Sequence, residues 1–168
     1  MSAECFLRPS FAAASGERDG ADVIAPPPLI YIAGLALGFG LDAFLPEAAL
    51  PDWLAWSIGG ALLLAGLALA VSFIGAFRRA GTPVSPGESV TQLVTTGPYR
   101  VSRNPGYLGM ALAFAGVAVV SGALWVLVVL VPTLIVVDRG VIRREERYLE
   151  RKFGEEYSRY RARTRRWL

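Results

Sequence analysis

Three uninterrupted apolar stretches govern what this chain can fold into. Residues 29–45 are apolar apart from Asp42, residues 53–77 are apolar over 25 positions, and residues 107–137 are apolar over 31. A helix needs about 20 apolar residues to cross the ~30 Å hydrocarbon layer of a bilayer. A core helix of a soluble protein normally keeps a polar stripe, and these stretches have none. With 54% of its 168 residues hydrophobic, the chain is expected to be an all-α, polytopic membrane protein whose first partner is the lipid bilayer.

The charges suggest a topology. Arg8 and Arg18 precede the first stretch, Arg78, Arg79, Arg100 and Arg103 lie between the second and third, and the other eleven basic residues follow Val137. The link 46–52 carries only Glu47 and Asp52, so it is expected to face away from the cytoplasm. A single helix over the third stretch would span ~46 Å, too long for one crossing. A break near Ser121-Gly122 divides it and returns the basic residues to the cytoplasm. The expectation is therefore four transmembrane helices, the third and fourth forming a hairpin, followed by cytoplasmic C-terminal helices, with both termini cytoplasmic. Sixteen arginines to one lysine fit a GC-rich bacterial genome, and hence the inner cell membrane. Residues 1–28, charged and ending in Pro26-Pro27-Pro28, are expected to be a flexible tail, and 29–168 a single membrane domain. Gly34-x-x-x-Gly38 is either a close-packing face or a point of helix flexibility. Glu155–Trp167 is expected to be a basic amphipathic helix, either lying on anionic lipid or covering a site.

The chain has no histidine and one cysteine, Cys5. Histidine chemistry, Cys/His metal sites and disulfides within the chain are thereby excluded. No metal, no catalytic side chain and no nucleic-acid partner are expected; the oligomeric state is left open.

The densest cluster of functional groups is Gly97–Gly109, "GPYRVSRNPGYLG", at the start of the third apolar stretch. Asn104-Pro105 is a helix start, with Asn at the N-cap and Pro at the first helical position. The free N–H groups of such an end attract a carboxylate or phosphate, and Arg100 and Arg103 add charge. Arg and Tyr are also ordinary interface anchors. Beyond the apolar run, Glu145-Glu146 sits among Arg143, Arg144 and Arg147, a set that also suits a solvated helix. If the two ends converge, Glu can accept from ribose hydroxyls, the helix end can hold an α-carboxylate, and Tyr99 and Tyr107 can face a base or a sulfonium cation. That combination suits S-adenosylmethionine. Methyl transfer from a sulfonium needs alignment and exclusion of water more than an acid or base.

The series Arg103-Asn104-Pro105-Gly106-Tyr107, apolar 108–137, Glu145-Glu146 resembles the isoprenylcysteine carboxyl methyltransferase and phospholipid methyltransferase families, whose mark is Arg-His-Pro-x-Tyr, a hydrophobic hairpin and Glu-Glu. Thr91-Gln92-Leu93-Val94 is similar to their His-x-Leu-Val segment, Gly97-Pro98-Tyr99-Arg100 to their Gly-x-Tyr turn, and Phe153-Gly154-Glu155-Glu156-Tyr157 with Tyr160 to their Phe-Gly-x-x-Tyr-x-x-Tyr ending. The resemblance implies S-adenosylmethionine-dependent methyl transfer to a hydrophobic or lipid-like acceptor, a carboxylate, thiol or amine, at the cytoplasmic face. It also implies cofactor contacts from Leu93, Val94, Tyr99, Asn104, Pro105, Gly106, Tyr107 and Glu145, braced by Arg103 and Glu146. Asn104 and Thr91 stand where the families have His. Val141 stands where they place an arginine for a substrate carboxylate, leaving Arg139 and Arg143 as the nearest substitutes. The rival readings are a nicotinamide-dependent membrane reductase of the sterol-reductase type and a non-catalytic membrane partner protein.

Overall fold

The structure is a computed structural model that describes residues 21–45, 50–83 and 90–168. Among these the chain is helical: α1 (Pro27–Asp42), α2 (Asp52–Ala80), a short 3-10 turn (Gly97–Arg100), α3 (Pro105–Val120), α4 (Leu124–Val137), a π-helical turn (Asp138–Ile142), α5 (Arg143–Phe153) and α6 (Glu155–Arg163). The breaks fall where left-handed backbone favours glycine: Gly122 has φ 74° between α3 and α4, and Gly154 has φ 52° between α5 and α6.

The expectation of four membrane-spanning helices is overturned. Two helices are long and apolar enough to cross a membrane, Asp52–Ala80 and the continuous run Leu124–Phe153 through α4, the π turn and α5. The other two apolar helices, α1 and α3, have 16 residues each and rise ~24 Å, short of the ~30 Å hydrocarbon layer. The predicted pairing of the third and fourth apolar helices as a hairpin fails as well. α3 lies chiefly along α2, and α4 chiefly along α1.

Small residues explain that choice of partners. A β-carbon on Gly66 would come within 2.7 Å of the Gly109 carbonyl oxygen, and one on Gly116 within 2.9 Å of the Gly59 carbonyl oxygen. Gly59 and Gly66 on α2 thus face Gly116 and Gly109 on α3 in antiparallel register, which lets the two backbones touch. Gly34 and Gly38 do the same for α1 on α4: a β-carbon would meet Thr133 Oγ1 at 2.5 Å and Val126 Cα at 2.9 Å. Of the two alternatives for that glycine pair, the structure shows close packing.

Only 11% of the apolar window of α2 and 33% of that of the α4–α5 helix are buried. Leu64, Leu67 and Val71 on α2, and Val128, Val131 and Ile135 on α4, stand exposed. A soluble core helix would cover such residues; helices of this length and exposure fit a bilayer. The core lies between α1, α3 and α4, around Tyr31, Phe114, Ala118, Val126 and Val137.

Asp42, the one charge in the first apolar stretch, accepts a hydrogen bond from the Trp125 N–H at 3.3 Å. It therefore serves the N-terminal turn of α4, whose own N-cap residue, Ala123, has no side chain able to do so. Losing a cap of this kind costs about 1 kcal/mol. Asp42→Ala is expected to lower the thermal midpoint of the purified protein by a few degrees, and Asp42→Asn by less, measured as loss of helical circular dichroism on heating.

The expected flexible tail over 1–28 falls outside the described residues for 1–20, and so does the link 46–49. Residues 21–28 include anchored positions. The Ile24 N–H donates to the Gly140 carbonyl at 3.3 Å, Arg144 Nη1 donates to the Asp22 carbonyl at 3.0 Å, and Ala21 is buried. Gly140 sits in the π turn, and a β-carbon there would run into the Ile24 side chain.

Candidate functional site

The basic end of α2, the first two turns of α5, the start of α3, helix α6 and residues from 21–28 line a cavity of about 710 Å³. Its floor is the turn before α3. Pro98 follows Gly97 and opens the 3-10 turn, which carries Tyr99. Asn104 then occupies the N-cap position of α3, with Pro105 as its first residue. The position is as the Asn-Pro pair predicts, but the Asn104 side chain does not cap. Its Nδ2 donates to the Arg166 carbonyl at 3.0 Å, and its own N–H donates to Ser102 Oγ at 3.1 Å. The N-terminal turn of α3 is left without a side-chain cap, and Asn104, Gly106 and Tyr107 line the cavity there.

The two ends of the apolar run converge. The Tyr107 hydroxyl donates to Glu145 Oε1 at 2.8 Å, and Arg103 Nη2 donates to Glu146 Oε1 at 2.9 Å. The adjacent carboxylates differ in environment. Glu146 is buried and neutralised: besides Arg103 it receives Arg166 Nε at 3.2 Å on Oε1 and Arg166 Nη2 on Oε2. Those bonds, first of all, raise the Arg166 guanidinium above its ordinary value. Glu145 is half-buried at the cavity wall, and no ion pair among the described residues neutralises it. It lies on α5, beyond the apolar window of the preceding helix. Burial pushes its carboxyl up to about 7, against the lowering pull of the Tyr107 hydrogen bond. The site therefore holds a half-buried acidic group at the wall of a large cavity, with one oxygen bonded to Tyr107 and the other given no hydrogen bond among the described residues.

Opposite the carboxylates, Phe73 and Phe77 of α2 join Tyr99 in an aromatic cluster. The ring centroids lie 5.0 Å apart for Phe73–Phe77, 5.9 Å for Phe77–Tyr99 and 6.3 Å for Phe73–Tyr99. Helix α6 packs over the cavity. Tyr157 is buried, and the Tyr160 hydroxyl donates to the Tyr99 carbonyl at 2.8 Å. Of the two roles left open for this helix, covering a site is the one its tyrosines serve.

Of the residues singled out in the sequence, Leu93, Val94, Tyr99, Arg103, Asn104, Gly106, Tyr107, Glu145 and Glu146 all line the cavity. Pro105 does not; it is fully buried behind them as the first residue of α3. Arg139 and Arg143, expected near a substrate, are not brought to the cavity. Arg139 is exposed, and Arg143 pairs outside with Asp138 at 2.9 Å. The π turn at 138–142 accounts for this: its extra residue rotates α5 relative to α4, so Gly140, Val141 and Ile142 point inward instead. Sequence reasoning missed the aromatic cluster on α2, the strap 21–28 and Arg166. Phe73 and Phe77, four apart at the basic end of α2, are the one such signal that was present.

The phospholipid methyltransferase family model matches residues 54–156, from the start of α2 into α6. An uncharacterized protein of Haemophilus influenzae is 40% identical over 62 residues, covering 37% of this chain and 78% of that relative. No solved structure matches. The matched span contains the helix Leu124–Phe153, all but the first two residues of the helix Asp52–Ala80, and the residues Asn104, Tyr107, Glu145 and Glu146, and on it the chain belongs to the phospholipid methyltransferase family.

Proposed function

We propose that this protein transfers a methyl group from S-adenosylmethionine to a hydrophobic or lipid-like acceptor, a carboxylate, thiol or amine, at the cytoplasmic face of the inner membrane. Family membership supports cofactor-dependent methyl transfer near a membrane. The observation that carries the residue-level reading is Glu145, a half-buried carboxylate with no cation paired to it among the described residues, hydrogen-bonded to Tyr107 at the rim of a cavity of about 710 Å³.

The donor set fits the cofactor's chemistry. Glu145 has an oxygen free to accept from ribose hydroxyls. The uncapped turn of α3 offers backbone N–H groups to an α-carboxylate. The electron-rich faces of Tyr99, Phe73 and Phe77 suit a purine or a sulfonium. When bound, S-adenosylmethionine supplies an electrophilic methyl that an acceptor lone pair takes by in-line displacement as the sulfur–methyl bond breaks. The chain's own contribution is alignment and dryness. Tyr107 fixes the Glu145 rotamer, Arg103 and Glu146 fix α3 against α5, and Tyr157 and Tyr160 exclude water from above. The concentration of basic residues at this end of the molecule supports a cytoplasmic orientation.

The test is transfer of isotope-labelled methyl from S-adenosylmethionine to lipid extracts and to a panel of amphiphilic carboxylates, thiols and amines by the purified protein. The expected result is label in one acceptor class, lost in Glu145→Ala. Stabilisation by a reduced nicotinamide and not by S-adenosylmethionine would instead point to a membrane reductase.

A further inference from the structure

The walls that meet at Glu145 come from two elements distant in sequence, the loop opening α3 and helix α5, and the short segment 164–168 that follows α6 binds both. Toward the loop it presents backbone. The Arg165 carbonyl accepts the Arg103 N–H at 2.9 Å, and the Arg166 carbonyl accepts Ser102 Oγ at 3.2 Å and Asn104 Nδ2 at 3.0 Å. Toward α5 it presents the Arg166 guanidinium, whose Nε and Nη2 reach the two oxygens of Glu146 while Nη1 reaches Asp138 Oδ1 at 3.3 Å. One residue therefore grips the N-cap asparagine of α3 through its carbonyl and the carboxylate beside Glu145 through its side chain.

Building on the cofactor reading above, we propose that Arg166 is a positioning residue. It holds the Asn104 turn and the Glu145-Glu146 pair at the spacing at which they grip one small molecule. Only a planar fork can satisfy both oxygens of Glu146 and still reach Asp138; an ammonium is a single point charge. Arg103 alone then leaves Glu146 with one cation, and the register of α5 against α3 loosens. Arg166 lies beyond the residues matched by the family model, 54–156.

The experiment uses the full chain in lipid nanodiscs and measures binding of labelled S-adenosylmethionine alongside thermal unfolding without ligand. Arg166→Ala should raise the Kd at least tenfold in protein that remains folded. Arg166→Lys should recover part of the loss, and Arg163→Ala, at an exposed position in α6, should stay within twofold of the parent. A merely structural role would not produce the coupling expected next: once Glu146→Gln is present, adding Arg166→Ala should weaken binding by less than about twofold. A Kd within twofold of the parent for Arg166→Ala, or losses that multiply with those of Glu146→Gln, would overturn the proposal. If the parent protein binds no S-adenosylmethionine, the cofactor reading fails. The Arg166–Glu146 link is then judged on unfolding alone, where additive destabilisation by the two substitutions would overturn it too.

Discussion

Glu145→Ala is expected to weaken S-adenosylmethionine binding by ~2–5 kcal/mol, more than about thirtyfold, while leaving the helices folded. The size follows from the setting. The carboxylate is half-buried, its hydrogen-bond donor is Tyr107, and removing it would leave hydroxyls held in the cavity without their acceptor. Tyr107→Phe should cost less, because it removes the group that orients the carboxylate and not the carboxylate itself. The same residue sets a pH dependence. Burial holds the Glu145 carboxyl up to about 7 in the ligand-free fold, above its value in the unfolded chain. The folded protein therefore keeps a proton that the unfolded chain has lost, and stability falls as pH rises from about 4.5 to 7. Glu145→Gln removes that penalty, so at pH 8 it should unfold at a higher temperature than the parent and yet bind the cofactor more weakly. Cofactor affinity in the parent should rise through pH 7 as the carboxylate form takes over, and this rise should vanish in Glu145→Gln. Isothermal titration across pH 6 to 8, with matched thermal scans, reads both.

Gly66→Leu is expected to be the most disruptive single change within the membrane-spanning part. At Gly66 the obstacle to a β-carbon is backbone, the Gly109 carbonyl oxygen at 2.7 Å and the Ala113 nitrogen at 3.0 Å, and backbone cannot rotate away as a side chain can. Gly66→Ala alone should cost ~1–3 kcal/mol by overpacking. Leucine must push α2 from α3 and carry Phe73 and Phe77 away from Tyr99, so cofactor binding should fall with stability. Gly60, with nothing within 4 Å of a β-carbon, is the control: Gly60→Ala should be neutral or slightly stabilising, because alanine is the better helix former. Thermal unfolding in nanodiscs, with Gly66→Ala, Gly66→Leu and Gly60→Ala side by side, separates a packing defect from a loss of glycine as such.

The residues around the site were more legible in the sequence than the arrangement of helices that carries them. Asn104-Pro105, Tyr107 and Glu145-Glu146 belong to turns and helix ends where residue type is tied to local chemistry, and the structure sets Tyr107 against Glu145 and Arg103 against Glu146. The helix break at Gly122 was readable for the same reason. Helix partnership was not. A short connection from α3 to α4 suggests adjacent antiparallel neighbours, but in an apolar medium helices pair where small residues let backbones approach. The seven-residue spacing Gly59/Gly66 and Gly109/Gly116 directs α3 to α2. The crossing count failed because each apolar segment was counted as one crossing, whereas α1 and α3 have only 16 residues each. Arg139 and Arg143 were misplaced because no sequence periodicity announces the π turn at 138–142 that rotates them outward. Arg166 and the strap 21–28 reach the site by long-range backbone contacts, for which composition carries no signal.

Equilibrium binding of labelled S-adenosylmethionine to the protein in nanodiscs, compared with Glu145→Ala and Tyr107→Phe variants shown to be folded, addresses the central claim most directly. Saturable binding by the parent, with a graded loss from Tyr107→Phe to Glu145→Ala, is the predicted result. Absence of saturable binding in the folded parent, or unchanged affinity in folded Glu145→Ala, would contradict it.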